Sequence, residues 1–167
     1  GNISALVQSN VKRMLAFSSV SHAGYLVLGV LVYNWIGISA VLFYVIVYSV
    51  MNLGAFYIIS LVEKENSGLT FRDYRGLAKD HPWLAVAMGI FMVSLAGFPP
   101  TAGFIAKYGL LSAAAENGYT WLVIIAVLNT ILSAYYYLRL IVNMYMKDED
   151  KSVLPKYAAI NQVFVSL

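Results

Sequence analysis

The sequence predicts an all-α protein, a polytopic transmembrane helix bundle with one discontinuous helix that prolines break. Hydrophobic residues make up 60% of the chain and charged residues only 11%, whereas a soluble domain carries about 25% charged residues. Long apolar segments alternate with short loops that hold most of the charges. Pro99 and Pro100 interrupt the apolar segment 81–115, and each proline removes a backbone donor and clashes with the preceding turn.

The apolar segments predict four complete spans within a single membrane domain. These spans lie at about 14–33, 38–62, 82–115 and 119–146. Residues 1–10 and 158–167 are expected to be partial spans, because crossing a bilayer needs about 20 residues, so we interpret the chain 1–167 as a fragment of a larger membrane subunit. One straight helix over 82–115 would be roughly 51 Å long, against a hydrocarbon core of about 30 Å. We therefore expect that span to break near 98–101.

The charged linker between the second and third spans contains a helix-start signal. Thr70 is followed three residues later by Asp73. This is the arrangement of a capping box, in which the later side chain accepts a hydrogen bond from the backbone N–H of the first residue. A short surface helix is therefore expected to run from this point to about Lys79.

The positions of the basic residues predict an orientation. Nine of the eleven Lys and Arg residues fall in alternate loops, namely Lys12, Arg13, Lys64, Arg72, Arg75, Lys79, Lys147, Lys151 and Lys156. The turns 34–37 and 116–118 hold none, so the positive-inside rule places the basic loops on the cytoplasmic side or its organellar equivalent. Arg139, about two turns inside the fourth span, is expected to snorkel toward that side.

Lys107 is the first candidate proton carrier. It is the sole charged residue of the span 82–115, and an ionisable residue inside a membrane segment marks a functional site by default. A lysine taken out of water holds its proton less tightly, so it can exchange protons near neutral pH. The alternative is a lysine that snorkels to an interface, but the apolar residues 108–115 place about 12 Å of helix between it and the outer boundary. Pro99 and Pro100 support the site, because a broken helix must turn its freed backbone groups toward protein or a watery cavity.

His22 is the second candidate proton-transfer residue. It lies about 12 Å into the first span if that span is helical, and histidine titrates closest to physiological pH. Ser18 and Tyr25, four residues before it and three after it, share its helix face and support a relay. The alternative is a neutral histidine that hydrogen-bonds a neighbouring helix.

Three consecutive tyrosines, Tyr135, Tyr136 and Tyr137, lie in the fourth span. Consecutive residues step around a helix, so the three rings cannot share one face, and at most two can line a pathway. We include Tyr137 as a supporting residue, although packing roles are favoured for the run as a whole. The intramembrane amides are favoured to hydrogen-bond between helices. These amides are Asn52, Asn129 and Asn143.

No motif in the sequence indicates a cofactor or a metal site. The chain contains no cysteine, no glycine-rich dinucleotide motif, no P-loop and no Cys/His cluster. We therefore expect no nucleotide, flavin, haem, iron–sulfur cluster or metal on this chain. The net charge of +3 is small and does not indicate a nucleic-acid partner.

Several segments resemble the antiporter-like subunits of proton-pumping NADH:quinone oxidoreductase, respiratory complex I. Residues 10–25 are similar to the start of a central span in those subunits, and residues 94–107 are similar to their discontinuous helix with its conducting lysine. Segments 51–56, 74–77 and 135–139 resemble the N-type subunit in particular. The resemblance covers nearly the whole chain and places it toward the carboxy-terminal end of a longer subunit.

The resemblance implies how such a chain would act. Quinone reduction elsewhere in the complex would drive charge rearrangements along a buried polar axis. Lys107 would alternately take up and release a proton, and His22 would connect it to the inner half of that axis. NADH, FMN, iron–sulfur clusters and quinone would bind to partner subunits. The partners would be other membrane subunits, including further antiporter-like subunits, together with H⁺ and the lipid bilayer of a bacterial inner membrane or an organellar energy-transducing membrane.

Two other functions stay open from the sequence. One is a subunit of a multisubunit cation/proton (Na⁺/H⁺) antiporter of the same ancestry, driven by an ion gradient and not by electron transfer. The other is a non-conducting scaffold that only holds neighbouring subunits. Lys107 argues against the scaffold, because a buried lysine is costly and adds nothing to packing.

Overall fold

The computed structural model describes residues 1–65 and 69–147, with the backbone alone for residues 64 and 65. The described residues form seven α-helices and one 3₁₀-helix. The helices are α1 (Asn2–Leu6), α2 (Val11–Leu31), α3 (Trp35–Glu65), the 3₁₀-helix (Phe71–Tyr74), α4 (Leu77–Asp80), α5 (Pro82–Ala96), α6 (Ala102–Glu116) and α7 (Thr120–Met146). The side chain of Lys64, the basic residues Lys151 and Lys156, and the expected partial span 158–167 lie outside this description.

The prediction of an all-α membrane helix bundle is confirmed. Three of the described helices are long and apolar enough to cross a membrane, namely Val11–Leu31, Trp35–Glu63 and Thr120–Met146. The helices α5 and α6 are shorter, 15 residues each, so each is roughly 22 Å long. Only together can these two helices cross a hydrocarbon core of about 30 Å.

The predicted discontinuous helix is also confirmed, with residues 97–101 separating α5 from α6. The helix α5 ends at Ala96 because Gly97 adopts a left-handed backbone conformation, φ +85°, which glycine tolerates without steric cost. Pro99 and Pro100 follow and are joined by a cis peptide bond. The helix α6 then begins behind Thr101, whose hydroxyl oxygen accepts a hydrogen bond from the Phe104 N–H at 3.3 Å, the usual role of an N-cap threonine.

The core forms where α2, α3, α5 and α7 pack against one another. Its largest fully buried side chains include Met14, Leu15, Ile59, Met88 and Met92. The outer face of α3 is the opposite in character, since large apolar side chains stay exposed along it at helical spacing. These are Leu42, Ile46, Val50, Leu53 and Tyr57. An exposed apolar stripe of this length is expected of a helix that faces lipid or another membrane subunit.

The linker between α3 and α5 corrects one sequence expectation. The capping box is present, since the carboxylate of Asp73 accepts a hydrogen bond from the Thr70 N–H at 2.6 Å. However, the single helix expected to reach Lys79 is wrong, because the 3₁₀-helix ends at Tyr74 and α4 starts separately at Leu77. The reason is Gly76, whose φ of +72° lies outside the helical region.

The linker is tied to the bundle by buried rings and by Arg139. Phe71 and Tyr74 are buried against the main core. The guanidinium of Arg139 lies 4.1 Å from the centre of the Phe71 ring, a cation–π contact. Arg139 therefore extends from α7 to the charged linker.

Candidate functional site

Lys107 lies inside the bundle, on α6 close to the break. Its side chain is buried, with 4% of the residue exposed. The Nζ atom donates hydrogen bonds to the backbone carbonyl oxygens of Leu95 at 2.8 Å and Ala96 at 3.2 Å. These two carbonyls belong to the last turn of α5, where the partial negative charge of the helix dipole favours a cation.

The two prolines explain why these carbonyls are available. In a continuous α-helix the carbonyl of residue i accepts from the N–H of residue i+4. The partners of Leu95 and Ala96 would therefore be residues 99 and 100, which are both prolines and have no N–H to donate. The Lys107 ammonium supplies the donors that Pro99 and Pro100 lack. The broken helix and the buried lysine are thus one structural unit.

Gly97 and Tyr25 complete the surroundings of the ammonium. A Cβ atom at Gly97 would lie 3.1 Å from Lys107 Cδ, so a larger residue there would press on the lysine. In addition, Nζ lies 5.2 Å from the centre of the Tyr25 ring, within the range of a cation–π interaction. The glycine leaves room for the lysine side chain, and the ring favours its protonated form.

Ser94 and Gly103 hold α5 and α6 together across the break. The hydroxyl oxygen of Ser94 accepts a hydrogen bond from the Gly103 N–H at 3.1 Å. A Cβ atom at residue 103 would collide with the Ser94 carbonyl oxygen, so the close approach requires glycine at this position. This contact sets the position of Lys107, one helical turn further along α6, relative to the end of α5.

His22 is the centre of a second polar cluster, on α2. It is buried, and both ring nitrogens contact tyrosine hydroxyls: Nδ1 lies 2.6 Å from Tyr44 and Nε2 lies 3.2 Å from Tyr137. The Tyr137 hydroxyl also lies 2.5 Å from the Ser18 hydroxyl. The imidazole stacks on the Tyr48 ring with centres 4.6 Å apart. Helices α2, α3 and α7 therefore meet at His22.

The structure brings most of the predicted residues together, in two groups. Ser18, His22 and Tyr137 form one hydrogen-bonded group. Lys107 and Tyr25 form the other, beside the break. Among the hydrogen bonds of the described residues, none joins Lys107 to His22 directly. The Tyr25 ring lies near both, with its centre 6.2 Å from that of the His22 ring.

Tyr25 makes additional contacts with α7, and one sequence expectation, that for Asn143, needs correction. Tyr25 shares the face of His22, but its hydroxyl hydrogen-bonds to α7, 2.6 Å from the Thr130 hydroxyl and 3.0 Å from the Ala126 carbonyl. Asn143 was expected to hydrogen-bond to another helix, but within the part of the chain that the structure describes its amide donates to the Arg139 carbonyl one turn earlier in α7, at 2.7 Å.

Sequence reasoning missed Tyr44, whose hydroxyl contacts the imidazole from α3, and Tyr48, whose ring only packs on the imidazole face. They lie four residues apart and so on one face of that helix, a spacing that could have marked a polar stripe in an apolar span. Which helix that stripe meets depends on tertiary packing, which the spacing does not encode. Freed backbone groups at the break were expected, but the binding of Lys107 by the Leu95 and Ala96 carbonyls was not, although the i, i+4 rule applied to the two prolines identifies these carbonyls.

The described residues offer proton-exchanging groups and no site for a metal. Within residues 1–65 and 69–147, no group of three or more His, Asp or Glu side chains could hold a metal ion. The buried polar side chains of the same ranges are Asn2, Ser18, His22, Ser94, Lys107, Ser133 and Asn143. An amine and an imidazole among hydroxyls can take up and release protons.

Comparison with known proteins identifies the family. Residues 1–133 match the family described as NADH:quinone oxidoreductase/Mrp antiporter, TM. The chain is 49% identical over 158 residues to NADH-quinone oxidoreductase subunit N 1 of Thermodesulfovibrio yellowstonii. The aligned region covers 95% of this chain and 34% of that protein. The chain thus spans about a third of the length of the curated relatives it matches.

Two solved structures share this architecture. A chain of respiratory complex I from Thermus thermophilus with bound aureothin has a TM-score of 0.81 and 32% identity, over 99% of this chain and 38% of that one. A chain of the Mrp complex from Dietzia sp. DQ12-45-1b has a TM-score of 0.83 and 31% identity, over 92% of this chain and 29% of that one. Because the family match covers most of the sequence, the chain belongs to the NADH:quinone oxidoreductase/Mrp antiporter transmembrane family.

Proposed function

We propose that this chain is part of a proton-translocating membrane subunit of NADH:quinone oxidoreductase, in which Lys107 and His22 conduct H⁺ while quinone is reduced elsewhere in the complex. The observation that carries the proposal is the buried ammonium of Lys107, bound by two carbonyls that prolines have released from helix pairing. The similarity to subunit N proteins at about half identity supports the choice of complex.

In the proposed mechanism Lys107 alternates between two protonation states. The protonated amine is stabilised by the carbonyl end of α5 and by the face of the Tyr25 ring, both of which interact more strongly with a cation than with a neutral amine. A positive charge that arrives nearby would weaken this hold, and a negative charge would strengthen it. Charge movement in a neighbouring part of the complex therefore drives uptake and release of the proton.

His22 is proposed to connect this site to the rest of the polar axis. Its imidazole contacts hydroxyls from two other helices, so it can receive a proton on one nitrogen and release one from the other. Ser18 and Tyr137 extend the chain of hydroxyls away from the imidazole. The Tyr25 ring lies near both His22 and Lys107, and its face stabilises the Lys107 ammonium.

The redox groups are proposed to lie on other subunits. The partners are the other membrane subunits of the complex, including further antiporter-like subunits, while NADH, FMN, iron–sulfur clusters and quinone bind to partner chains. The alternative is a subunit of a multisubunit Na⁺/H⁺ antiporter, and the similarity to a chain of the Mrp complex supports it.

Affinity purification of the full-length subunit from its native membranes separates these two functions. Recovery of chains that carry iron–sulfur clusters and reduce quinone with NADH is the expected result. Recovery of other antiporter chains alone, without NADH-dependent quinone reduction, would favour the antiporter. A tagged but unrelated membrane protein of the same membranes provides the control for non-specific recovery.

The basic loops are proposed to face the cytoplasm or its organellar equivalent. Single cysteines placed in the turn 34–37 and in the loop 147–156 of the full-length subunit are expected to react with a membrane-impermeant thiol reagent from opposite sides. Residues 1–167 contain no native cysteine, so background labelling from this part of the subunit is low. Labelling of both positions from one side would contradict the proposed orientation.

A further inference from the structure

The imidazole of His22 has two hydroxyl partners on different helices, and they play different parts. On one side Nε2 contacts Tyr137 of α7, whose hydroxyl continues to Ser18. On the other side Nδ1 contacts Tyr44 of α3 at 2.6 Å. Tyr44 is 1% exposed and Tyr137 is fully buried, so bulk water does not reach the rings of either partner.

Tyr44 lies on the side of His22 that faces α6. It belongs to one buried apolar cluster with Ala106 and Leu110 of α6, and Ala106 directly precedes Lys107 in the sequence. Tyr25 also belongs to this cluster, but its hydroxyl is engaged by α7. Of the two hydroxyls that contact the imidazole, that of Tyr44 therefore belongs to the residue that shares a cluster with α6.

We propose that Tyr44 is a proton-transfer residue, and that Ser18, Tyr137, His22 and Tyr44 form a hydrogen-bonded chain that passes protons across α2 toward α6. The proposal rests on the proposed function, because it assigns a further residue to the same proton path. It differs from a packing role for Tyr44 in requiring the phenol oxygen and not only the ring.

The transfer is balanced in atoms and involves no change of oxidation state. A neutral imidazole with its N–H on Nδ1 donates to Tyr44 and accepts from the Tyr137 hydroxyl. A proton that arrives from the Ser18 side joins the Tyr137 oxygen as the original Tyr137 proton moves to Nε2. The imidazolium then releases its Nδ1 proton to the Tyr44 oxygen, and Tyr44 gives up its own hydroxyl proton to the neutral amine of Lys107 on α6, which becomes the ammonium. One O–H or N–H bond breaks for each that forms, and rotation of the hydroxyls with the reverse tautomer shift resets the chain.

Tyr48 provides a matched control for Tyr44. Both tyrosines lie on α3 beside His22, and their rings stack nearly parallel with centres 6.3 Å apart. Tyr48 contacts the face of the imidazole at 4.6 Å between centres, whereas Tyr44 contacts a ring nitrogen through its hydroxyl. Phenylalanine at either position keeps the ring and removes only the hydroxyl.

The test compares Tyr44→Phe, Tyr48→Phe and Lys107→Ala in the full-length subunit within assembled complex. Proton translocation and NADH-driven turnover are measured in membranes of matched complex content, in H₂O and in D₂O. We expect Tyr44→Phe to lower proton translocation by about tenfold, a part of the roughly 100-fold or more that a positioned proton-transfer group contributes. Its turnover should show a larger solvent isotope effect than the wild type, and Tyr48→Phe should stay within about twofold of it.

Three other outcomes would contradict either the role of Tyr44 or the proposed function. Wild-type translocation by Tyr44→Phe beside a defective Lys107→Ala would overturn the role of Tyr44 and leave the proposed function standing. An equal loss in Tyr44→Phe and Tyr48→Phe, with an unchanged isotope effect, would assign both hydroxyls to packing and also overturn it. Normal translocation by Lys107→Ala would instead contradict the proposed function itself.

Discussion

A complex in which Lys107 is replaced by methionine is expected to assemble but to lose most of its coupled proton pumping. Methionine fills a similar apolar volume and removes the ammonium, so no group remains there to take up and release a proton. We expect coupled turnover to fall about tenfold or more, since a positioned proton-transfer group typically contributes roughly 100-fold or more. The Leu95 and Ala96 carbonyls would also lose their donor, which costs about 1–3 kcal/mol for each buried group that stays unpaired. NADH oxidation, proton translocation and complex content in the same membranes check this result.

Conservative replacements of Lys107 separate charge from proton release. Lys107→Arg keeps a cation beside the carbonyl end of α5, but arginine holds its proton at any physiological pH, so pumping should fail although assembly is normal. Lys107→His should retain part of the activity, because imidazole exchanges protons near neutral pH. Lys12→Ala is the matched control, since Lys12 is an exposed lysine whose pair with Glu63 at 2.8 Å contributes at most about 1 kcal/mol. Equal pumping by the arginine variant and the wild type would show that the charge alone suffices.

Replacement of both Pro99 and Pro100 by alanine is expected to give the second largest defect. The two new N–H groups could pair with the Leu95 and Ala96 carbonyls as in a continuous helix, and would then compete with the Lys107 ammonium. Loss of one hydrogen bond to a charged group, about 1.5 kcal/mol, corresponds to roughly tenfold in occupancy of the lysine position. We expect pumping to fall by a similar factor, with a smaller effect on complex content.

Pro82 is the control for this double replacement. It occupies the first turn of α5, where an N–H has no helical partner and proline therefore costs nothing. Pro82→Ala should leave pumping unchanged within about twofold, because it frees no carbonyl and adds no competitor for the lysine. Normal pumping by the Pro99→Ala, Pro100→Ala variant would show that the lysine does not depend on the carbonyls that the prolines release.

The break, the lysine and the histidine could be predicted because their signals are local. Two adjacent prolines cannot continue a helix wherever it packs. A lone lysine or a histidine in an apolar span is likewise conspicuous in any arrangement of the helices. The pattern of spans needs only hydropathy and length, so the all-α bundle also followed from the sequence.

The partners of these residues could not be predicted because they depend on how the helices pack. Tyr44 comes from a different helix than His22, and nothing in the sequence near either residue specifies that pairing. Tyr25 lies on the predicted face of α2, but the proximity of Thr130 decides where its hydroxyl points. The division of the linker at Gly76 was missed for another reason, since the capping-box signal marks where a helix starts and not where it ends.

The most direct test of Lys107 as the proton carrier is the number of protons translocated per electron pair in membranes that contain the Lys107→Ala variant. It is measured against wild-type membranes of matched complex content, with quinone reduction followed in the same sample. We expect a lower ratio, or a turnover that falls together with pumping where the two are tightly coupled. A wild-type ratio at wild-type turnover would show that Lys107 is structural, and would contradict the central claim that its ammonium is the proton carrier.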